Sequence, residues 1–299
     1  MKVIFIVNPE AGKGKGIPAG FYLTKSVGDA EKFARTAAAE LREKGEALRL
    51  IACGGDGTVN EVINGVIGYE NVAVGIMPIG TGNDFVRNFP DAGDFMSIEA
   101  QLKAETTKAD VIKYEGSLAG KMQTRYCINM FNIGFDCNVV DLTGTLKKYP
   151  FLKGSMAYLA AVVGILIKKK GACLKVEADG ELVHEGKVLL TAVANGSYCG
   201  GGVKSSPRAS LKDGLMDLNI IYNVSRREFV SKFPSYAKGT HLGLEDIDRL
   251  LLFKQCRKVV ITPLEESMRL CTDGEITDAG KVIMEEVPQA IDIMIPQIL

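Results

Sequence analysis

The N-terminal third of the chain repeats one unit: a short, apolar-dominated, β-rich run that stops on asparagine, glycine or proline, followed by a helical period. Val3-Ile4-Phe5-Ile6-Val7 stops at Asn8-Pro9, residues 48–53 stop at Gly54-Gly55, and residues 72–77 stop at Pro78. Runs this short and this apolar read as strands buried on both faces. Between them Phe33, Ala37 and Leu41 recur at helical spacing after Gly28-Asp29-Ala30. Val59, Val62, Ile63 and Val66 share one face of a helix expected over 58–66. Strands alternating with helices pair in parallel through crossovers, so the predicted class is α/β with a parallel sheet. In such sheets ligands bind at the carboxyl ends of the strands. Here those ends carry Asn8-Pro9, residues 54–57 and residues 78–84.

After Asp110 the pattern changes to alternation and turns. Asp179-Gly180 and Asp273-Gly274 each separate two β-rich runs, a hairpin signal. Residues 188–193, 215–222, 258–262 and 267–272 read as further strands, with buried helices expected near 154–167 and 225–238. The predicted organisation is an α/β domain over 1–112 and a mainly antiparallel β-sandwich domain over 113–286. A terminal segment, 287–299, is expected to return to the first domain.

Composition excludes several function classes. Lys+Arg and Asp+Glu both number 36, and the longest basic block is Lys168-Lys169-Lys170, so nucleic acid is not the expected partner. Seven cysteines at irregular spacing, none in a CxxC pair, suggest neither a zinc site nor a disulfide framework, and free thiols suit a reducing compartment. Two histidines outside any motif leave acid–base work to carboxylates or lysines. The apolar run at 3–7 is too short for a signal-peptide core. The longest apolar run, 156–167, falls well short of the ~20 residues a spanning helix needs. The expectation is a cytoplasmic protein whose membrane contact, if any, is peripheral.

Two loops carry the chemistry. Gly54-Gly55-Asp56-Gly57-Thr58, followed by Asn60 and Glu61, lets backbone approach a phosphate and opens a helix whose first N–H groups face an anion. Its plainer reading is a tight turn with a capping Asp. Gly80-Thr81-Gly82-Asn83-Asp84 follows the next strand with the same mixture of glycines and small polar groups. Either alone is weak; at the ends of successive strands, with Asn8-Pro9 at a third, they build one phosphate-lined crevice. Gly12-Lys13-Gly14-Lys15-Gly16 lacks P-loop spacing and reads equally as a phosphate contact or a surface loop.

These residues resemble a known family. Asn8-Pro9 with Gly12, GGDGTVNEV from 54 and PIGTGNDF over 78–85 are similar to the catalytic domain of diacylglycerol kinases, sphingosine kinases and their bacterial relatives. GGDGT alone is shared with NAD kinases. In the C-terminal half Ala194-Asn195-Gly196, Gly200-Gly201-Gly202, Ser205-Ser206-Pro207 and the 211–218 segment are similar to the second domain of the bacterial members. The resemblance implies a lipid kinase using ATP and Mg²⁺. It implies a Mg²⁺ site at Asp213 with the carbonyls of Ser210 and Leu215, and Glu275 of Thr272-Asp273-Gly274-Glu275 as general base. Asp56 and Asp273 join Glu275 as catalytic candidates, with Asp56 reaching the metal directly or through water. Leu23-Thr24 resembles the family's nucleotide-facing strand end, which implies Thr24 as an adenosine contact. Asp179-Gly180-Glu181 repeats the DGE tripeptide, so position rather than the tripeptide favours 273–275.

One departure stands out. The family carries a helix and a further strand between the Asn-Pro loop and the strand bearing the implied Thr24, where this chain has only residues 17–21. Either the segment is truly short and the nucleotide wall reduced, or residues are missing; the second is favoured. Residues 147–153 mix lysines with aromatics ahead of the apolar 156–167 run, which reads as an interfacial element or as a buried helix with solvated lysines. Two alternatives stay open: an NAD kinase-like enzyme with a soluble substrate, and a nucleotide- or lipid-binding regulator without turnover. Exposed strand edges in the β domain leave room for a homodimer.

Overall fold

The computed structural model describes residues 1–11, 21–90, 92–134 and 171–296. Gly12 and its lysine-rich loop, the segment at 17–20, the basic-aromatic stretch 147–153 and the helix expected over 154–167 lie outside the described residues. The chain forms two compact units, 1–111 with 287–299, and 112–286.

In the first unit β1 (Lys2–Val7) pairs in parallel with β2 (Phe21–Leu23) and with β3 (Leu48–Gly54). β3 in turn pairs in parallel with β4 (Val72–Pro78). The inner residues Ile6, Leu50, Ile51 and Val74 are fully buried, as both-face burial of apolar runs requires. Helix α1 (Asp29–Glu43) buries a stripe of small residues, Ala30, Ala34, Ala37 and Ala38, with Leu41. Phe33, expected in that stripe, lies beside it and stacks on Tyr22 at 3.8 Å. Small residues on the stripe let α2 (Asp56–Val66) approach closely: a Cβ on Gly65 would sit 2.5 Å from the Glu31 carbonyl. α2 begins at Asp56, two residues ahead of its expected start, so half of the glycine loop is the helix's first turn. Helix α3 (Ile98–Lys103) starts at Ser97, whose hydroxyl accepts from the Ala100 N–H.

β5 (Glu105–Leu118) leads into the second unit, where it forms a hairpin with β6 (Lys121–Cys127). β7 (Met130–Gly134), β8 (Ala172–Ala178), β9 (Glu181–Ala194), β10 (Met216–Tyr222) and β11 (Leu251–Cys256) follow. β12 (Lys258–Pro263), β13 (Met268–Thr272) and β14 (Glu275–Ile295) complete the described strands. All pairings within this unit with a stated register are antiparallel. β9 pairs β8 through its first half and β7 through its second; β14 pairs β13 and then β12. With β13 on β7 and β12 on β8, these six strands close a circuit. Alternate residues fill it: Phe131, Ile133, Leu174, Val176, Val193, Leu218, Ile220, Leu270 and Met284 belong to one core. The opposite face of β7, β9 and β10 carries a second cluster, with Met130, Leu190, Ala194, Ile221 and Tyr236.

Helix α4 (Arg226–Ala237) covers part of that second cluster. A capping box starts it: Glu228 N–H donates to the Ser225 hydroxyl, and Ser225 N–H to the Glu228 carboxylate. The helix matches the one expected near 225–238, but it is not a buried helix. Tyr236 alone is buried, and Pro234 sits in its interior, removing one N–H from the ladder. The last residues of β14 belong to the first unit, where Asp292 and Ile293 pair in parallel with Ala73 and Val74 of β4.

Candidate functional site

Parallel register places the carboxyl ends of the first unit's strands on one edge, with Val7 opposite both Leu23 and Cys53, and Gly54 opposite Pro78. Asn8 lies on that edge. Its N–H donates to the Cys53 carbonyl at 3.0 Å and its amide nitrogen to the Thr58 hydroxyl at 3.2 Å. Pro9 beside it is exposed. Thr24 follows β2 and donates its N–H to the Val7 carbonyl at 3.0 Å.

The two glycine loops press against each other. A Cβ on Gly80 would sit 2.3 Å from Gly55 Cα, and one on Gly54 would sit 2.3 Å from the Thr58 hydroxyl oxygen. The N–H groups of Ile79 and Gly80 both donate to the Gly54 carbonyl at 3.1 Å. Glycine is required here by close approach, since neither Gly55 nor Gly80 has a positive φ. Gly55 is the extended N-cap of α2 and has no side chain to accept from the first turn. The N–H groups of Asp56, Gly57 and Thr58 therefore lack an intrahelical partner and face out along the helix axis, an anion-binding arrangement.

Asn83 holds the second loop in shape. Its φ is 53°, and its amide nitrogen donates to the carbonyls of Pro78 at 2.8 Å and Gly80 at 3.0 Å. Asp56 ties the loops together by accepting the Phe85 N–H at 3.1 Å. Thr81 is exposed at the loop tip. Asp84 is buried, with Arg87 Nε 3.6 Å from its carboxylate. The structure thus brings Asn8, Gly54, Gly55, Asp56, Gly57, Thr58, Gly80 and Asn83 together.

Glu61 is engaged elsewhere. Its two carboxylate oxygens accept the N–H groups of Gly28 at 2.8 Å and Ala30 at 3.1 Å, so it caps α1 rather than facing the loops. Asn60 accepts from the Asn64 amide through its carbonyl and its side-chain oxygen, a contact within α2.

In the second unit Asp213 stands exposed in the turn before β10. Its Oδ1 accepts the Leu215 N–H at 3.1 Å, the Lys212 N–H donates to the Ser210 hydroxyl, and Gly214 has φ 70°. A carboxylate is the hard-oxygen donor type that Mg²⁺ takes. Among the described residues no group of three or more His, Cys, Asp or Glu side chains is placed to hold a metal.

The hairpin between β13 and β14 separates its two candidates. Glu275 is exposed and pairs in register with Thr272. Asp273 is 7% exposed. Its carboxylate accepts the N–H groups of Ile128, Asn129 and Met130 at 2.9–3.1 Å and the Cys127 thiol at 3.2 Å. Four donors on two oxygens give Asp273 a positioning role: it anchors the start of β7 to the hairpin that carries Glu275. Burial, then the Asp273 charge, pushes the Cys127 thiol well above its ordinary range. The other Asp-Gly hairpin does the same in miniature, Asp179 accepting from the Arg257 and Lys258 N–H groups. Its following residue, Glu181, pairs with Lys254 at 2.8 Å and is held below the usual carboxylate range by that contact.

Three buried titratable groups escaped the sequence reading. Asp110 accepts the Gln289 N–H at 2.7 Å and so fastens the C-terminal segment to the first unit. Asp217, on β10, is pushed up to about 6 by burial, against an opposing hydrogen bond from Gln255 at 3.0 Å. His241 is pulled down to about 4 by burial. For the two aspartates the signal was a lone carboxylate inside an apolar run, Ala109-Asp110-Val111 and Met216-Asp217-Leu218.

Comparison with known proteins agrees across the chain. Residues 2–114 match the diacylglycerol kinase catalytic domain, and residues 129–295 match the YegS C-terminal NAD kinase beta sandwich-like domain. A diacylglycerol kinase of Bacillus subtilis (strain 168) is 30% identical over 262 residues, 87% of this chain and 80% of that protein. One from Staphylococcus saprophyticus is 31% identical over 262 residues, 87% of this chain and 79% of that protein. The crystal structure of a diacylglycerol kinase from Bacillus anthracis str. Sterne superposes with a TM-score of 0.66 at 22% identity, covering 98% of this chain and 96% of that one, a likeness of fold.

Proposed function

The chain belongs to the diacylglycerol kinase family, and from that premise we propose that it transfers the γ-phosphoryl group of ATP to a lipid hydroxyl, with diacylglycerol the first candidate. The observation that supports the nucleotide half is the close approach of Gly55 and Gly80, which brings two glycine loops and the start of α2 together. Phosphoryl transfer asks for positioning and charge neutralisation more than covalent chemistry. The N–H groups at 55–58 and 81–82 hold the nucleotide phosphates; that of Gly80, expected among them, is spent on the Gly54 carbonyl. Asn8 orients Thr58, Asn83 keeps the second loop folded, and Thr24 is assigned to the adenosine side.

Asp213, with the carbonyls of Ser210 and Leu215, would hold Mg²⁺, and Asp56 is the carboxylate assigned to a metal on the nucleotide side. When bound, Mg²⁺ neutralises phosphate charge. Glu275 accepts the proton of the attacking lipid hydroxyl, and Asp273 fixes the hairpin from which it does so. Among the described residues no helix is long and apolar enough to cross a membrane, so the lipid is met by peripheral contact in this reading.

The test presents purified protein with Mg-ATP and a panel of lipids in mixed micelles, with NAD as a soluble arm. Labelled phospholipid product is expected. Labelling of NAD alone would replace the reading by a soluble-substrate kinase, and no product from either arm would leave a regulator without turnover. Glu275→Gln is expected to lower turnover by about a hundredfold or more with ATP binding intact; unchanged turnover would remove Glu275 as the base.

A further inference from the structure

Two carboxylates meet the start of α1, and only one of them serves the helix. The first N–H groups of a helix are ordinarily accepted by a side chain at or near its start. Here Glu61 does that from α2, by accepting the Gly28 and Ala30 N–H groups at 2.8 and 3.1 Å. Asp29, the first residue of α1, turns back instead. Its Oδ2 accepts the Lys25 N–H at 2.8 Å, and both its oxygens lie 3.0 Å from the Tyr22 hydroxyl. Tyr22 and Lys25 flank Thr24, so one carboxylate grips the chain on both sides of it.

The rest of that connection has little apolar packing to hold it. Lys25, Ser26, Val27 and Gly28 are exposed, Val27 at 87%. Thr24 is half-buried, and its N–H donates to the Val7 carbonyl at 3.0 Å. The Asp29 N–H donates to the Ser26 carbonyl at 3.2 Å, and Gly28, with φ 83°, turns the chain into α1. A loop with few buried contacts takes its order from such bonds. Tyr22 is a firm post for them: β2 pairs it with Ile6, and its ring stacks on Phe33 at 3.8 Å. Desolvation, then the bond to Asp29, holds its hydroxyl above the ordinary range, so it stays a donor. The phosphate-side loops are held by other groups: Asn8 on Thr58, Asn83 on Pro78 and Gly80, and Asp56 on Phe85.

We propose that Asp29 is a positioning residue for the adenosine end of the nucleotide, folding residues 22–29 into a clasp that presents Thr24. The inference rests on the nucleotide reading above and deepens it. It divides the site into two parts held by different side chains, the phosphates on the glycine loops and the nucleoside on the clasp. A loop ordered before the nucleotide arrives does not have to be ordered by it, which favours binding.

Calorimetric titration at a fixed excess of Mg²⁺ compares ADP, which spans both parts, with inorganic tripolyphosphate, which fills the phosphate part alone. Asp29→Ala removes the acceptor of both bonds. It should raise the Kd of ADP by about tenfold while leaving that of tripolyphosphate within about twofold of wild type. Asp29→Asn puts one amide oxygen where Oδ2 now accepts from both Lys25 and Tyr22, and should bring the ADP Kd back to within about threefold of wild type. Equal weakening of both ligands by Asp29→Ala would make Asp29 a support of α1 alone and overturn the proposal. An unchanged ADP Kd in Asp29→Ala, with wild type binding both ligands, would overturn the clasp and leave the nucleotide reading standing. Asp29→Asn as weak as Asp29→Ala would replace the hydrogen-bonded clasp by a charge effect. Wild-type protein that binds neither ligand would overturn the nucleotide reading, and the clasp with it.

Discussion

Replacing Gly80 by Ala tests whether the contact between the two glycine loops shapes the phosphate site. The added Cβ would meet Gly55 Cα at 2.3 Å, Asn83 Oδ1 at 2.8 Å and Gly55 N at 2.9 Å. An unstrained carbon–carbon contact is about 3.5–4.0 Å, so the loops must part by over ~1 Å. The two nearest carbon and nitrogen atoms are backbone, so no side-chain rotation relieves the clash. Ile79 and Gly80 now donate to the Gly54 carbonyl at 3.1 Å, and parting the loops takes both bonds out of range. Two hydrogen bonds at about 1 kcal/mol each, with overpacking of about 1–3 kcal/mol, give a cost of about 3–5 kcal/mol. A ~1 Å displacement of positioning groups costs roughly a hundredfold in rate. Urea unfolding and initial rates against Mg-ATP at saturating lipid measure both. Gly55→Ala, whose Cβ would lie 3.3 Å from Gly80 Cα, should show a smaller effect of the same kind. Gly68→Ala has open space but φ +85°, so it should lose about 1 kcal/mol of stability with ATP kinetics unchanged. Wild-type ATP kinetics in Gly80→Ala would refute the view that loop contact sets the phosphate spacing.

Glu61→Gln should cost about 1 kcal/mol of stability by turning an amide NH₂ towards the start of α1, and leave the KM for ATP unchanged; a raised KM would return Glu61 to the nucleotide. Asp273→Asn should cost about 2–4 kcal/mol in urea unfolding, because one amide nitrogen would face main-chain N–H donors now accepted by a carboxylate. Retained stability with lost turnover would instead make it a catalytic group. His241, held at about 4 against an ordinary 6.5, takes no proton when folded, so its contribution to stability is complete above 6.5 and is lost as pH falls towards 4. Asp217, held at about 6 against 3.8, keeps its proton when folded, so its contribution is complete below 3.8 and is lost as pH rises through 6. Each amounts to about 3 kcal/mol at most, with opposite sign. Unfolding at about pH 4 and about pH 7 should show stability rising with pH more steeply in Asp217→Asn than in wild type, and less steeply in His241→Gln; parallel pH profiles would refute both assignments.

The frame of the nucleotide site was legible from local pattern. Apolar runs closed by Gly, Pro or Asn mark strand ends, and parallel pairing brings successive ends to one edge, so the loops at 54–58 and 80–84 had to be neighbours. The Asp-Gly turns were legible for the same reason: Asp179, Gly180, Asp273 and Gly274 all have the positive φ that such hairpins demand. The helix near 225–238 was expected as a buried one, but its half-exposed packing was not legible, because it depends on what the rest of the unit places beneath it.

Side-chain roles were less legible, because they depend on donors distant in sequence. Glu61 reads as part of the glycine loop motif, yet its partners are the N–H groups of Gly28 and Ala30. Asp273 reads as a catalytic carboxylate beside Glu275, yet its partners are the N–H groups of residues 128–130. His241, in no motif, is buried with its ring 4.9 Å from that of Tyr236. Backbone conformation follows from near neighbours, through periodicity, sterics and turn chemistry, and so can be read along the chain. A carboxylate's role follows from which N–H groups reach it, and for Glu61 and Asp273 those groups arrive from other elements only when the chain has folded.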